Sequence, residues 1–199
     1  MKPYSLDEIK TIPLKNRWLA AFLAWLCPGL GHFYQGRTAK GVIFFSTLVP
    51  LLVAGLWMGS YWGGNEEHRL CFAKNAYFQW QPGNKRLYFF PQALNAVVAV
   101  PAVIQAKVVQ NGAPPLWGGA FAPPAPSSTL QTEEAQTVRP TLNAILLRLH
   151  SWFEMGTIFI AAAGLLNLLV IFDALCGPAW IIPEELQKSL ASGSVKERK

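Results

Sequence analysis

From Val42 to Trp62 the chain carries no charged side chain over 21 residues. At about 1.5 Å per residue, a helix of that length spans roughly 30 Å, the thickness of a bilayer hydrocarbon core. A second run, Met155 to Phe172, is uncharged over 18 residues. Hydrocarbon offers no partner to a backbone N–H or C=O, so runs like these are expected to satisfy themselves as helices. Composition agrees: 52% of the 199 residues are apolar and 14% charged, against about 25% charged in ordinary soluble domains. The net charge of +6 is scattered between apolar blocks. It forms no basic stripe interleaved with stacking aromatics, so no nucleic-acid partner is expected. Cys27, Cys71 and Cys176 are odd in number and far apart, which gives neither a disulfide framework nor a metal-ligand spacing.

Residues 1–17 are polar and basic, with Lys2, Lys10, Lys15 and Arg17. An apolar run begins at Trp18 with no small-x-small cleavage site after it, so the segment is expected to be retained as an anchor. That first run is short. Trp18 to Leu26 is helical by pattern, but it reaches the roughly 17 residues of a span only if "CPGLGHFY" is included. Pro28 removes a backbone donor there, and a re-entrant or half-buried first helix is the alternative to a full span.

The turn after this run, Pro28 to Gly41, reads "PGLGHFYQGRTAKG". With the helices on either side, Gly31, Phe33, Tyr34, Gly36, Arg37 and Gly41 resemble the loop of the TM-two membrane hairpin domain. Members of that family usually carry an arginine directly before the aromatic pair, where this chain has His32. The proline and glycine before His32, with the C-terminal stretch "FEMGTIFIAAAGLLNLLVIFDALCGP", are similar to an uncharacterised bacterial multi-pass family of planctomycete type. The resemblance implies a hairpin over residues 18–63 and no known activity.

Two readings of the turn follow from its residues. Arg37 and Lys40 stand just before a helix N-terminus, where free N–H groups and the helix dipole favour anions, so Gly31, His32, Tyr34, Gly36, Arg37 and Lys40 are candidates for an anionic lipid headgroup or an acidic partner. In the plainer reading the glycines allow a tight return and the basic side chains snorkel to the interface. His32 has no second ligand at helical spacing and is not expected to hold a metal.

Gly55, Gly59 and Gly63 recur every fourth residue and present a small-residue face for another helix, from this chain or a second copy. Leu52 is expected on the lipid side. Residues 64–86 read as an extramembrane loop, and 87–106 as a third candidate span. Pro91, Gln92, Asn95, Pro101 and Gln105 make that span either a kinked helix or a surface-lying segment. Residues 107–141, rich in proline, alanine and glycine, read as a flexible linker unable to bury a core.

The last apolar block, 142–177, reads as one C-terminal membrane helix, followed by a polar tail over 178–199. Glu154 and Asp173 stand at the ends of its strongest portion, where carboxylates avoid the cost of the bilayer centre. Gly164 and Asn167 lie inside it. A buried amide needs a partner, so helix contact is expected at both. Trp18, Trp62, Trp152 and Trp180 mark membrane boundaries.

The fold class expected is therefore an all-α integral membrane protein of about four embedded helices. In that threading 12 of the 17 Lys and Arg lie on the side of the termini and five opposite. That places the N-terminus in the cytoplasm and the chain in the cell (inner) membrane, with the lipid bilayer as its first partner and a helix–helix partner or homo-oligomer as a further one. No catalytic order, cofactor motif or metal motif is visible, so the function expected is a noncatalytic scaffold, assembly or partner-binding protein. The alternative is a subunit of a membrane transport or membrane-enzyme system that uses the intramembrane polar residues.

Overall fold

A computed structural model describes residues 15–62, 70–81, 84–126 and 139–176. The described chain is helical: α1 Arg17–Leu26, α2 Leu30–Tyr34, α3 Thr38–Met58, α4 Phe89–Gln92, α5 Ala96–Gln110, α6 Leu142–Leu149 and α7 Ser151–Cys176. Two antiparallel ladders of two residue pairs each complete it, Tyr61–Trp62 against Leu70–Cys71 and Trp80–Gln81 against Asn84–Lys85.

α3 and α7 are the frame. They run antiparallel, with Gly55 facing Gly156 and Ile160 near one end and Leu48 packed with Val170 and Ala174 toward the other. Both are long and apolar enough to cross a membrane, with mean hydropathies of 2.0 and 2.3. The end where α3 begins and α7 finishes is called here the turn end, and the opposite end the loop end.

α1 starts at the turn end, where the Asn16 side chain accepts from Trp18 N and Leu19 N and so caps the helix. It reaches only to the middle of α7. Ala20 packs with Val170 and Ala174, and Ala24 O meets Asn167. Pro28 and Gly29, the latter at φ 90°, then turn the chain, and α2 folds back on α1 toward the end it came from. The hairpin arms thus differ from the expected pair of spans. α7 joins α1 to α3, and α1 covers only part of the length of α7.

The 87–106 segment is likewise not one helix. α4 enters from the loop end, Ala93–Asn95 break the path beside Gly164 and Asn167, and α5 returns toward the loop end as far as Gln110. Gln105 there bonds Leu116 and Ala120.

Within the expected 107–141 linker, residues 119–125 are buried, which corrects that part of it, and 127–138 lie outside the described residues. An extended, proline-rich segment lacks ladder partners for its carbonyls, and long side chains supply them here. Lys74 Nζ donates to Gly119 O (2.6 Å), Gln105 Nε2 to Ala120 O (2.8 Å), Arg139 Nε to Pro123 O (2.9 Å) and Arg139 Nη2 to Pro124 O (3.3 Å). Phe121 then joins a core of Leu52, Leu56, Val98, Ala102 and Ile160.

In the expected 142–177 helix, His150 at φ 48° ends α6 and starts α7 in a new direction. This lets Ile145 and Leu149 pack with Tyr77 and Phe153. Leu52, expected toward lipid, lies in the core. Gly63, Trp180 and the tail lie outside the described residues.

Candidate functional site

At the turn end, residues far apart in sequence converge on the last turn of α7. His32, on α2, donates from Nε2 to Asp173 Oδ2 at 2.6 Å. Arg37 donates from Nη2 to the same oxygen at 2.9 Å and from Nη1 to the Asp173 backbone carbonyl at 3.2 Å. Lys40 Nζ lies 3.2 Å from Oδ1, and Gln35 Nε2 donates to Ala174 O at 2.7 Å. The α7 C-terminus has free carbonyls and a negative dipole end, so cationic donors suit it on both counts.

Local geometry explains why the turn can deliver these groups. A Cβ at Gly31 would overlap the Ala20 carbonyl, so only glycine lets α2 lie on α1 and carry His32 inward. The Phe33 ring packs closely against Gly41, while Gly36 meets nothing nearby and matters through its φ of 80°. Tyr34 packs beside the Ala20, Ala24 and Val170 cluster and carries Lys15 Nζ 5.3 Å from its ring centroid. The turn's basic residues and Asp173 are thus a single ion cluster. Glu154 is not part of it and sits exposed in the first turn of α7, where the helix dipole favours a carboxylate.

The packing residues meet partners within the chain. Gly55 receives α7 at Gly156 and Ile160, and Gly164 receives the α4 backbone at Pro91. Asn167 donates to Ala24 O (3.2 Å) and Leu94 O (3.0 Å), tying α1 to the break after α4. Gly59 receives a side chain in place of a helix, because a Cβ there would overlap Asn75. Gly59→Leu is therefore expected to lower the melting temperature in detergent sharply, while Val53→Ala, on the outward face, leaves it nearly unchanged; equal melting would remove the glycine face from the account.

Sequence reasoning placed 64–86 outside the membrane and missed the polar insert that fills the loop end. Asn75 is fully buried and donates to Gly55 O at 2.9 Å. Arg86 donates to Asn75 O at 2.6 Å and lies 4.0 Å from the Tyr77 ring centroid. Gln92 Nε2 donates to Thr157 O at 3.3 Å. Beside the insert, a cavity of about 230 Å³ is lined by Phe78, Trp80, Pro124 and Arg139, whose guanidinium is already bonded to proline carbonyls.

Lys74 is buried in this insert, and burial pushes its pKa down to about 8, against a smaller upward pull from Cys71. An unfolded lysine titrates near 10.4, so between pH 8 and 10 the unfolded state binds more protons, and stability from this group rises with pH. Above pH 10 the Tyr61 phenol, whose pKa burial raises, acts the opposite way. Thermal melts from pH 8 to 10 are expected to show an upward contribution that Lys74→Met abolishes; identical pH slopes in the two proteins would contradict it.

No curated protein and no solved structure matches the chain. The likenesses to the TM-two hairpin domain and to a planctomycete-type family gain no specific support from the comparisons. Residues 19–187 match the family of unknown function DUF6677, and the chain belongs to that family.

Proposed function

We propose that this protein is a noncatalytic integral protein of the cell (inner) membrane, acting as a scaffold, assembly or partner-binding factor. One observation carries the membrane part. In the most apolar windows of α3 and α7 only 28% and 33% of residues are buried inside the protein, whereas the core helix of a soluble protein would be mostly covered. Ile43, Val53 and Trp57 on α3 and Ile158, Leu165 and Leu169 on α7 face outward, and a bilayer supplies the missing cover.

With two full crossings, both termini fall on the side of the turn end. That side then holds Lys2, Lys10, Lys15, Arg17, Arg37, Lys40, Lys188, Lys196, Arg198 and Lys199, ten of the 17 basic residues. Of the seven opposite, Lys74 and Arg86 are turned inward to protein carbonyls. The bias supports a cytoplasmic turn end. Carbonate-washed membranes are expected to retain the protein, and its release into the soluble fraction would refute the membrane reading.

At that cytoplasmic surface the turn has a surplus of positive charge, since Arg37 and Lys40 share the single carboxylate of Asp173 and Lys40 is half exposed. The first turn of α3 carries no acidic residue and no side-chain cap. Both features suit an anionic lipid headgroup. Lys40→Gln is expected to reduce copurified anionic lipid with little change in melting, and Arg37→Gln with Lys40→Gln to abolish its selective retention. Unchanged lipid in the double variant would leave the turn a purely structural staple.

A further inference from the structure

α1 and α5 meet near the middle of α7, one arriving from each end of the bundle. Asn167 donates to Ala24 O in α1 and to Leu94 O just before α5, and Trp25 Nε1 donates to Ala93 O at 3.1 Å. Asn167 lies about two-thirds along a 26-residue helix, so this junction is close to mid-depth. Helices of ten and 15 residues in series extend about 37 Å, enough to make a composite third crossing from two distant pieces of chain.

The junction is polar where its depth calls for apolar groups. Asn95 is 1% exposed and Asn167 0%. Asn95 Oδ1, Asn95 Nδ2 and Asn167 Oδ1 have no hydrogen-bond partner among the described residues. Asn95 precedes α5 as its N-cap residue yet makes no side-chain cap bond, and its amide lies beside Gly164, one turn from Asn167 on the same face of α7. An amide buried in this way costs about 1–3 kcal/mol unless something bonds it.

The unpartnered set contains both donors and acceptors, which selects the guest. A bare cation would face the Asn95 N–H₂ group and an anion would face two carbonyl oxygens, so neither fits. Water is the smallest neutral molecule that both donates and accepts, and so answers both kinds of atom. We propose that the α1–α5 junction is a mid-membrane hydration site in which Asn95 and Asn167 hold ordered water between the tips of two half-helices. The inference rests on the reading that α3 and α7 cross a bilayer. Toward the loop end, Gln92 Oε1 and Asn75 Oδ1 are also buried without a partner among the described residues.

Water-edited solid-state NMR of the full chain in liposomes, with ¹⁵N-labelled asparagine and isoleucine, tests this directly. Magnetisation from water is expected to reach the side-chain amides of Asn95 and Asn167 several times faster than the backbone amide of Ile160, a fully buried residue of α7. Asn95→Leu is expected to slow the transfer to Asn167 and to lower the melting temperature, because the water loses its anchor. Absence of transfer to Asn95 in the wild-type protein overturns the proposal whatever the variant does. A dry junction would also make Asn95→Leu stabilising, since it removes an unpaired amide from an apolar site. Failure of the membrane reading is read separately, from carbonate extraction.

Discussion

Gly31→Ala is expected to destabilise the protein severely. The new Cβ would overlap the Ala20 carbonyl oxygen, and backbone held in α1 cannot step aside as a flexible side chain could. Overpacking typically costs about 1–3 kcal/mol, and backbone that cannot yield puts this site at the upper end. The loss spreads, because α2 can no longer lie on α1 and His32 is withdrawn from Asp173. Gly36→Ala is the matched control: its φ of 80° strains an L-residue, but its Cβ would meet nothing, so it costs about 1–2 kcal/mol. Thermal unfolding of both variants in one detergent checks the order, and equal losses would show that α2 does not depend on this close approach.

Asp173→Asn is expected to have the next largest effect. The carboxylate accepts from His32, Arg37 and Lys40 together, with His32 fully buried and Asp173 partly so. Replacing it by an amide leaves Arg37 with a partly buried positive charge and no counter-ion, and removing one partner of a partly buried pair costs about 2–4 kcal/mol. The exposed Lys40 arm contributes little of this, about 0–1 kcal/mol, because solvent screens it. A double-mutant cycle pairing Asp173→Asn with Arg37→Gln should show strong coupling, and the cycle with Lys40→Gln weak coupling. The same variant should copurify more anionic lipid than the native protein, since its internal anion is gone. Additive losses for Asp173 and Arg37 would dissolve the cluster as a functional unit.

The two long helices were legible in the sequence because an uncharged run of about 20 residues has few other folded forms. The short α1 was legible as an alternative, from Pro28 and the length of the run. What local pattern could not show was which distant groups meet. Asp173 read as an end-of-helix acid and Arg37 as an interfacial anchor. Their shared site joins positions 136 apart, and no periodicity carries that distance.

In 87–106 the residues that made a simple span unattractive, Gln92 and Asn95 among them, lie at the break or beside it. A count of polar residues signals a defect without giving its geometry. The burial within the loop and the linker was hidden from the sequence for one common reason. Charge and proline content report how a segment fares in water, whereas Lys74, Arg86, Gln105 and Arg139 are buried or half-buried by donating to carbonyls that extended chain leaves open. A four-span count sets residues 64–86 with the termini and Arg37 and Lys40 opposite them, and the proposed two-crossing threading reverses both.

The most direct measurement is therefore the sidedness of two loops. Single cysteines at Glu66 and Ser128, in a chain whose three native cysteines are replaced, can be labelled in intact cells with a membrane-impermeant thiol reagent. With α3 and α7 as the two full crossings and α4–α5 dipping in and returning, both positions are expected to label from outside, and a C-terminal reporter to be active in the cytoplasm. Labelling of Ser128 but protection of Glu66 until the cells are opened would put a complete crossing between them and contradict the account.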